Sequence, residues 1–540
     1  MATHSVTNQP PPLENINLYT SDPVLARFVD HEGGSVHDEL LRGYGRNIGS
    51  ARAYRWGRDA NRYHPELVTH DRFGNRIDQV EFHPAWHALM ELSISHRVHS
   101  LPWVSADGGF VARSAQMMMM AGVEAGHGCP ISMTAAVVPA LRKAPDLAAE
   151  WEPRLMSNIY DPRFAPVAEK DGALMGMGMT EKQGGSDVRT NTTTASPEVG
   201  DWYRVTGHKW FTSAPMSDAF LILAQAPKGL SCFFLPRILD DGVVNSIRIQ
   251  RLKDKLGNRS NASAELEFDG ALALLVGEEG RGVPTIIEMV NGTRLDCVSG
   301  STGLMRQAVM QAAHHVAHRW AFGSLLVDKP AMQMVIADLE VETQAATVLM
   351  TRLAGAFDRV DDVEEAAIKR LLTPVAKYWV SKRCTPVVRE AMECLGGNGY
   401  VEESPLPRIF RESPLNAIWE GSGNVIALDV MRVAAKEPAA VEALRSELEG
   451  VRANDSRLDS FIAATWDLVS RPDNAEAQAR RVTENLAIAV QAALLIERAD
   501  SEVAEMFLAS RVAGDHGALF GTQPATSAVG KVAALAVPEP

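Results

Sequence analysis

The chain has 540 residues, 46% hydrophobic and 22% charged, which is a globular composition with material for about three or four domains and excludes a disordered or fibrous chain. A net charge of −14 argues against a uniformly basic, nucleic-acid-coating surface. No apolar run approaches the roughly 20 residues of a membrane helix, and Met1 to Pro12 lacks a signal-peptide pattern. Cys129, Cys232, Cys297, Cys384 and Cys394 are scattered without close-paired spacing, which argues against disulfides or a Cys-based zinc site and for a reducing, cytoplasmic setting.

Residues 1–20 are polar and carry Pro10-Pro11-Pro12, which cannot be helix interior. They read as an arm that docks on its own protein or on a neighbouring subunit. Residues 21–174 form an N-terminal helical domain broken at His64-Pro65, at Arg72-Phe73-Gly74-Asn75 and at Asp107-Gly108-Gly109. Within it, Phe110 to Val123 is a strongly apolar helix whose Met117-Met118-Met119-Met120 run is adaptable core filling. His83 and His87 are four apart and on a helix would share a face, as zinc ligands do. With no Glu between them and no third ligand, they read as packed or surface residues, and no metal is expected.

From 175 to 285 the pattern is short β-type runs without intervening helices: Trp202 to Gly207, Ala219 to Ala224, Leu230 to Leu235, Ile247 to Ile249 and Ala264 to Phe268. This central β-domain closes with the turn-rich Gly277 to Gly282. Residues 286–436 return to long helices, with Met305, Val309, Ala312, Val316 and then Met334, Ala337, Val341, Ala345 at helical spacing. Residues 437–540 are an extra C-terminal helical domain with 9 Lys+Arg against 16 Asp+Glu, a difference of −7. The fold class is α+β, mainly α, in the order helices, strands, helices.

Five stretches carry chemistry. Met179-Thr180-Glu181-Lys182-Gln183-Gly184-Gly185-Ser186-Asp187 is a glycine-rich loop with two hydroxyl residues, suited to a ligand with a phosphate or a polarised ring edge. Gly207-His208-Lys209-Trp210-Phe211-Thr212-Ser213 reads from its residues as an ordinary half-buried strand. Arg319-Trp320-Ala321-Phe322-Gly323 ends a helix with a guanidinium fork that suits phosphate oxygens. Glu393-Cys394-Leu395-Gly396-Gly397-Asn398-Gly399-Tyr400 is a glycine turn after a helix. Ile418-Trp419-Glu420-Gly421-Ser422-Gly423-Asn424 sets one carboxylate between an aromatic ring and small residues, where desolvation raises a carboxyl pKa and improves a base.

Together these stretches resemble the acyl-CoA dehydrogenases over roughly residues 20–435. The resemblance implies an N-terminal helical domain, a central β-domain and a helical bundle around bound FAD. It assigns Met179, Thr180, Gly185 and Ser186 to the flavin loop and Phe211 to stacking on the ring, where the family usually has Trp. Ser213 is assigned to the ring's polar edge. Arg319 and Phe322 go to the dinucleotide of a partner subunit, and Trp419, Ser422 and Asn424 to further cofactor contacts. Ser186 and Arg294 are assigned to the substrate. Glu420 is the implied base for α,β-dehydrogenation of a short or branched acyl-CoA, isovaleryl-CoA among them, with weak turnover. Besides Phe211, three positions depart from the family pattern. Pro330 and Glu393 replace glutamines, and Thr293 stands where the isovaleryl branch carries its base, so that role falls to Glu420 here as well. Phe82-His83-Pro84-Ala85-Trp86-His87, Val123-Glu124-Ala125-Gly126, Cys129-Pro130-Ile131 and the C-terminal extension resemble a branch tied to the bacterial DNA-alkylation response. That branch implies a homotetramer. It also implies double-stranded DNA association through the C-terminal domain, with vestigial dehydrogenase activity as the alternative function. The acidic balance of residues 437–540, whose local basics are Arg480, Arg481, Arg498 and Arg511, weighs against DNA. A flavin oxidase re-oxidised by oxygen is a third reading.

Overall fold

The computed structural model describes residues 2–105, 107–451, 454–471 and 475–539. After three helices, the chain forms a ribbon of β1 (Glu66–His70) and β2 (Arg76–Glu81), then the apolar helix α1 (Gly109–Val123). The strands β3 (Met175–Gly178), β4 (Thr194–Pro197), β5 (Trp202–Ser213), β6 (Ala219–Ala226), β7 (Gly229–Pro236), β8 (Ile247–Leu252) and β9 (Ser263–Val276) follow. Next come α2 (Gly282–His318), the two-residue strands β10 (Trp320–Ala321) and β11 (Ser324–Leu325), α3 (Pro330–Asp358), α4 (Val363–Cys394) and α5 (Gly423–Lys436). The C-terminal segment adds α6 (Pro438–Glu449), α7 (Ser456–Ser470) and α8 (Ala475–Arg498), then shorter helices. Among the described residues, no helix is long and apolar enough to cross a membrane.

Two compact units result. One comprises Arg52–Ser105 and Glu124–Asp296 and contains the sheet. Its strand order is β3-β6-β4-β5-β9-β7, with β8 on β9, and β7 also pairs with β6, so the path closes on itself. Closure leaves few unpaired edges. Inside are Val205, Phe220, Ile222, Phe233, Leu235, Leu266 and Phe268. In β5 the alternation that buries Tyr203 and Val205 is broken by a register shift between Lys209 and Thr212. Strict alternation from Lys209 would bury residue 211; the shift buries Thr212 instead and leaves Phe211 50% exposed. In the same unit His83 is the N-cap of helix Pro84–Ser95, accepting from Ala85 N, rather than a member of its face. Its ring stacks on Tyr63, while His87 Nδ1 is 2.9 Å from the Tyr160 hydroxyl.

The other unit comprises Met1–Ala51, Ala106–Val123 and Cys297–Pro540. Its centre is α3, buried on all sides from Ile336 to Phe357, so the charged residues inside that stretch, Asp338, Glu340, Glu342 and Arg352, are all taken up in ion pairs. Met117, Met118, Met119 and Met120 are core. The C-terminal segment is fastened by ion pairs. Arg352 reaches Glu365 and Glu447 at 2.8 Å each, Arg511 reaches Asp338 and Glu342 at 2.5 and 3.0 Å, and Arg498 reaches Glu32 at 2.5 Å. Burial pushes the Glu342 carboxyl up, but Arg383 and Arg511 outweigh it and hold it at about 2. The N-terminal arm docks on its own chain: Asn8 Nδ2 donates to Trp320 O at 2.8 Å, and Asn8 Oδ1 accepts from Trp320 N at 2.7 Å. All five cysteines are buried and unbridged.

Candidate functional site

In the sheet-bearing unit, the loop after β3 is built around a buried ion pair that the sequence did not advertise. Glu181 and Lys209 are both shut from water, with Lys209 Nζ 2.7 Å from Glu181 Oε1. Glu181 also accepts from Thr192 N (2.7 Å), Thr192 Oγ1 (3.0 Å) and Thr193 N (3.2 Å), and Lys209 donates to Leu223 O at 2.7 Å. Burial raises the Glu181 carboxyl, but these donors prevail and hold it at about 2; burial lowers the Lys209 ammonium to about 8. The one sequence signal was a lysine on the inward phase of an alternating strand.

That pair leaves the rest of the loop facing solvent. Lys182 through Asp187 are exposed, while Met179 and Thr180 are half-buried. Trp210 N donates to Thr180 O at 2.8 Å, which sets Thr180 beside the Phe211 bulge. A Cβ on Gly185 would lie 2.4 Å from Thr180 Oγ1, so the loop closes over that hydroxyl only with glycine there. Ser213 Oγ is 3.0 Å from Ser263 Oγ, which accepts from Lys255 Nζ at 2.8 Å. Lys253 Nζ lies 3.3 Å from the Trp210 ring centroid and 4.6 Å from that of Phe211, steadying both rings. Thr180, Gly185, Ser186, Phe211 and Ser213 thus share one unit, and an aromatic face stands beside a hydroxyl-bearing loop. Arg294 lies in the same unit, buried within α2.

In the helical unit, Glu420 sits half-buried in the turn before α5 with φ +57°, a left-handed backbone rare for glutamate, followed by Gly421 at φ +103°. Lys377, 1% exposed on α4, donates to the carbonyls of Trp419 (2.9 Å) and Gly421, on either side of Glu420. Trp419 Nε1 donates to Asn416 Oδ1 at 2.7 Å, and Asn416 Nδ2 to Ser301 Oγ at 3.1 Å. The predicted Trp419, Ser422 and Asn424 therefore flank the carboxylate on one framework. Lys377 escaped the sequence reading; its signal was a lysine inside the otherwise apolar, wholly buried run Leu371 to Ser381.

The first turn of α5 is uncharged itself but is faced by cations from α4 and α8. Gly423 packs against Lys382, whose Nζ would be 2.8 Å from a Cβ there, and Arg480 Nε donates to Asn424 Oδ1 at 2.7 Å. Burial, then the Arg480 charge, lowers the Lys382 ammonium. Two cations at the positive end of a helix favour an anion. At the end of α2, β10 and β11 form a hairpin whose tip, Phe322 (φ +50°) and Gly323 (φ +82°), has the left-handed pair of a tight turn. Phe322 is 95% exposed, and Arg319 is half-buried and donates to Asn8 O of the arm. Glu393, one of the departures, is exposed and pairs with Arg389 at 3.4 Å.

Known proteins match along the chain. Residues 8–162 fit the adaptive response protein AidB N-terminal domain, 176–271 the acyl-CoA dehydrogenase middle domain and 280–435 the acyl-CoA dehydrogenase C-terminal domain. The chain is 46% identical over 506 residues to the putative acyl-CoA dehydrogenase AidB of Escherichia coli strain K12, covering 93% of each. It is 32% identical to acyl-CoA dehydrogenase family member 11 of Caenorhabditis elegans, over 90% of this chain and 85% of that one. The crystal structure of C. elegans ACDH-11 in complex with C11-CoA has a TM-score of 0.84 at 28% identity, covering 98% of this chain and 93% of that one. Such identity, held over nearly the whole of both chains, makes this protein an AidB-like member of the acyl-CoA dehydrogenase family.

Proposed function

We propose that the protein is an FAD-dependent oxidoreductase that dehydrogenates a short or branched acyl-CoA thioester between Cα and Cβ, with Glu420 as the base. The Glu420 turn carries this reading: its carboxylate is half-buried on a left-handed backbone clamped from both sides, and a clamped base can be held at one α-carbon. Bound FAD supplies the hydride acceptor. The residues present suit it. Phe211 offers a half-exposed ring, Thr180, Ser186 and Ser213 offer hydroxyls, and Arg319 together with the cationic start of α5 suits the pyrophosphate. Glu420 accepts the α-proton, and the electrons of that C–H bond close the Cα=Cβ bond as the β-hydride departs, giving an enoyl thioester. Arg294 and Ser186 are assigned to the thioester. The CoA complex of the C. elegans relative supports this substrate class.

The working form is a homotetramer in which Arg319 of one subunit serves the cofactor of another. The exposure of Trp320 (56%), Phe322 (95%) and Tyr400 (79%) supports such covering, because large aromatic side chains left open to solvent suit an interface. The test is an anaerobic titration of the flavin-loaded protein with a panel of acyl-CoAs, following the flavin absorbance. Bleaching by a short or branched thioester is expected; a flavin left oxidised by every thioester overturns the proposal.

A further inference from the structure

We infer that Lys377 is the positioning residue of the Glu420 turn: its buried ammonium, by binding the carbonyls on both sides of Glu420, fixes the left-handed backbone that presents the carboxylate. The inference rests on the assignment of Glu420 as base.

A lysine is almost never fully buried unless its donors are used, because withdrawing an ammonium from water is costly. Lys377 is 1% exposed and spends donors on Trp419 O and Gly421 O. These carbonyls bracket the residue that adopts φ +57°. A non-glycine residue there is disfavoured by about 1–2 kcal/mol and persists only where its surroundings over-determine it. With both flanking carbonyls drawn to one cation, residue 420 becomes the crest of the turn. Trp419, held by Asn416 and through it by Ser301, stops the crest from swinging as a unit. Both anchors come from helical elements outside the turn, Lys377 from α4 and Ser301 from α2, so the position of the carboxylate is set by the bundle. Methionine at 377 keeps the length and loses every donor. Arginine keeps donors in a different fork.

The test compares Lys377→Met and Lys377→Arg in the full-length, flavin-loaded protein, each with and without Glu420→Gln. Lys377→Met is expected to retain flavin and KM within about threefold, and to lower kcat on the order of 100-fold, the cost of a misplaced base. Lys377→Arg should recover part of that loss. In the Glu420→Gln background, Lys377→Met should lower the residual rate no further, whereas a general stability role would cost the same in both. Independently of turnover, amide exchange in residues 418–424 should quicken about tenfold or more in Lys377→Met, with the sheet peptides unchanged, as for a lost local clamp. Wild-type kcat in Lys377→Met, or unchanged exchange at 418–424, overturns the inference. A wild-type flavin that no thioester bleaches overturns the base assignment and the catalytic meaning of Lys377, and the exchange result still decides whether the clamp exists.

Discussion

Lys209 and Lys377 are both shut away from water, and each spends its donors on a turn that bears candidate site residues. Removing the charge of Lys209 leaves Glu181 buried and ionised, so Lys209→Met should cost about 3–5 kcal/mol in urea unfolding at neutral pH. Glu181 gives this pair a pH signature. Its carboxyl is held at about 2, below the usual 4.5. A depressed carboxyl contributes stability that is complete above its unfolded pKa and lost as pH falls through its folded one. Acid unfolding followed through the sheet should therefore steepen from about pH 4.5 toward 2, and Glu181→Gln should flatten that slope while lowering stability throughout. If the proposed base is Glu420, Glu420→Gln should keep the yellow colour and cut turnover at least about 100-fold; full turnover in that variant would remove Glu420 from the chemistry. The glutamate was legible because an aromatic–Glu–Gly–Ser run is a recognisable string. Its left-handed backbone was not, because the lysine that holds it lies 43 residues upstream in a helix.

At the scale of elements, periodicity located the β-domain and the long helices but could not show where a strand changes phase. Phe211 is assigned to stacking by resemblance alone; the register shift that turns it outward depends on how β5 pairs with β9. Likewise Phe322-Gly323 is no turn signature of the Asn-Gly kind, yet the chain makes a hairpin there with the arm laid against it. Asn8→Ala removes two side-chain bonds to Trp320, worth about 0.5–1.5 kcal/mol each. The expected result is a melting temperature lowered by only a few degrees and faster proteolytic removal of the first dozen residues. An arm as protease-resistant as in the wild type would show that other contacts hold it.

Across the whole molecule, the acidic balance of the C-terminal segment was legible by counting, but the use of its arginines was not. Arg498 and Arg511, two of the arginines weighed for a DNA stripe, are taken up by Glu32, Asp338 and Glu342, and Arg480 bonds Asn424. Specific or salt-resistant DNA binding needs several phosphate contacts. A duplex titration at about 150 mM salt should therefore show no retained complex, and a complex that survives there would restore the DNA reading. The same arginines fasten the segment to the bundle, so Arg511→Met, which removes the arginine from buried Asp338 and leaves Glu342 to Arg383 alone, should destabilise the helical unit by about 3–5 kcal/mol.

The five buried thiols have a practical consequence. Burial pushes Cys232 and Cys394 up to about 12, and Cys384 higher, so these three offer no thiolate at neutral pH, and Cys129 and Cys297 are buried away from reagents. The native chain is thus a silent background for thiol chemistry, needing no prior removal of cysteines. A single cysteine placed at Val363, 86% exposed at the start of α4, would take a maleimide dye alone. Such a probe would let subunit exchange be followed by energy transfer between separately labelled batches of an otherwise unaltered protein.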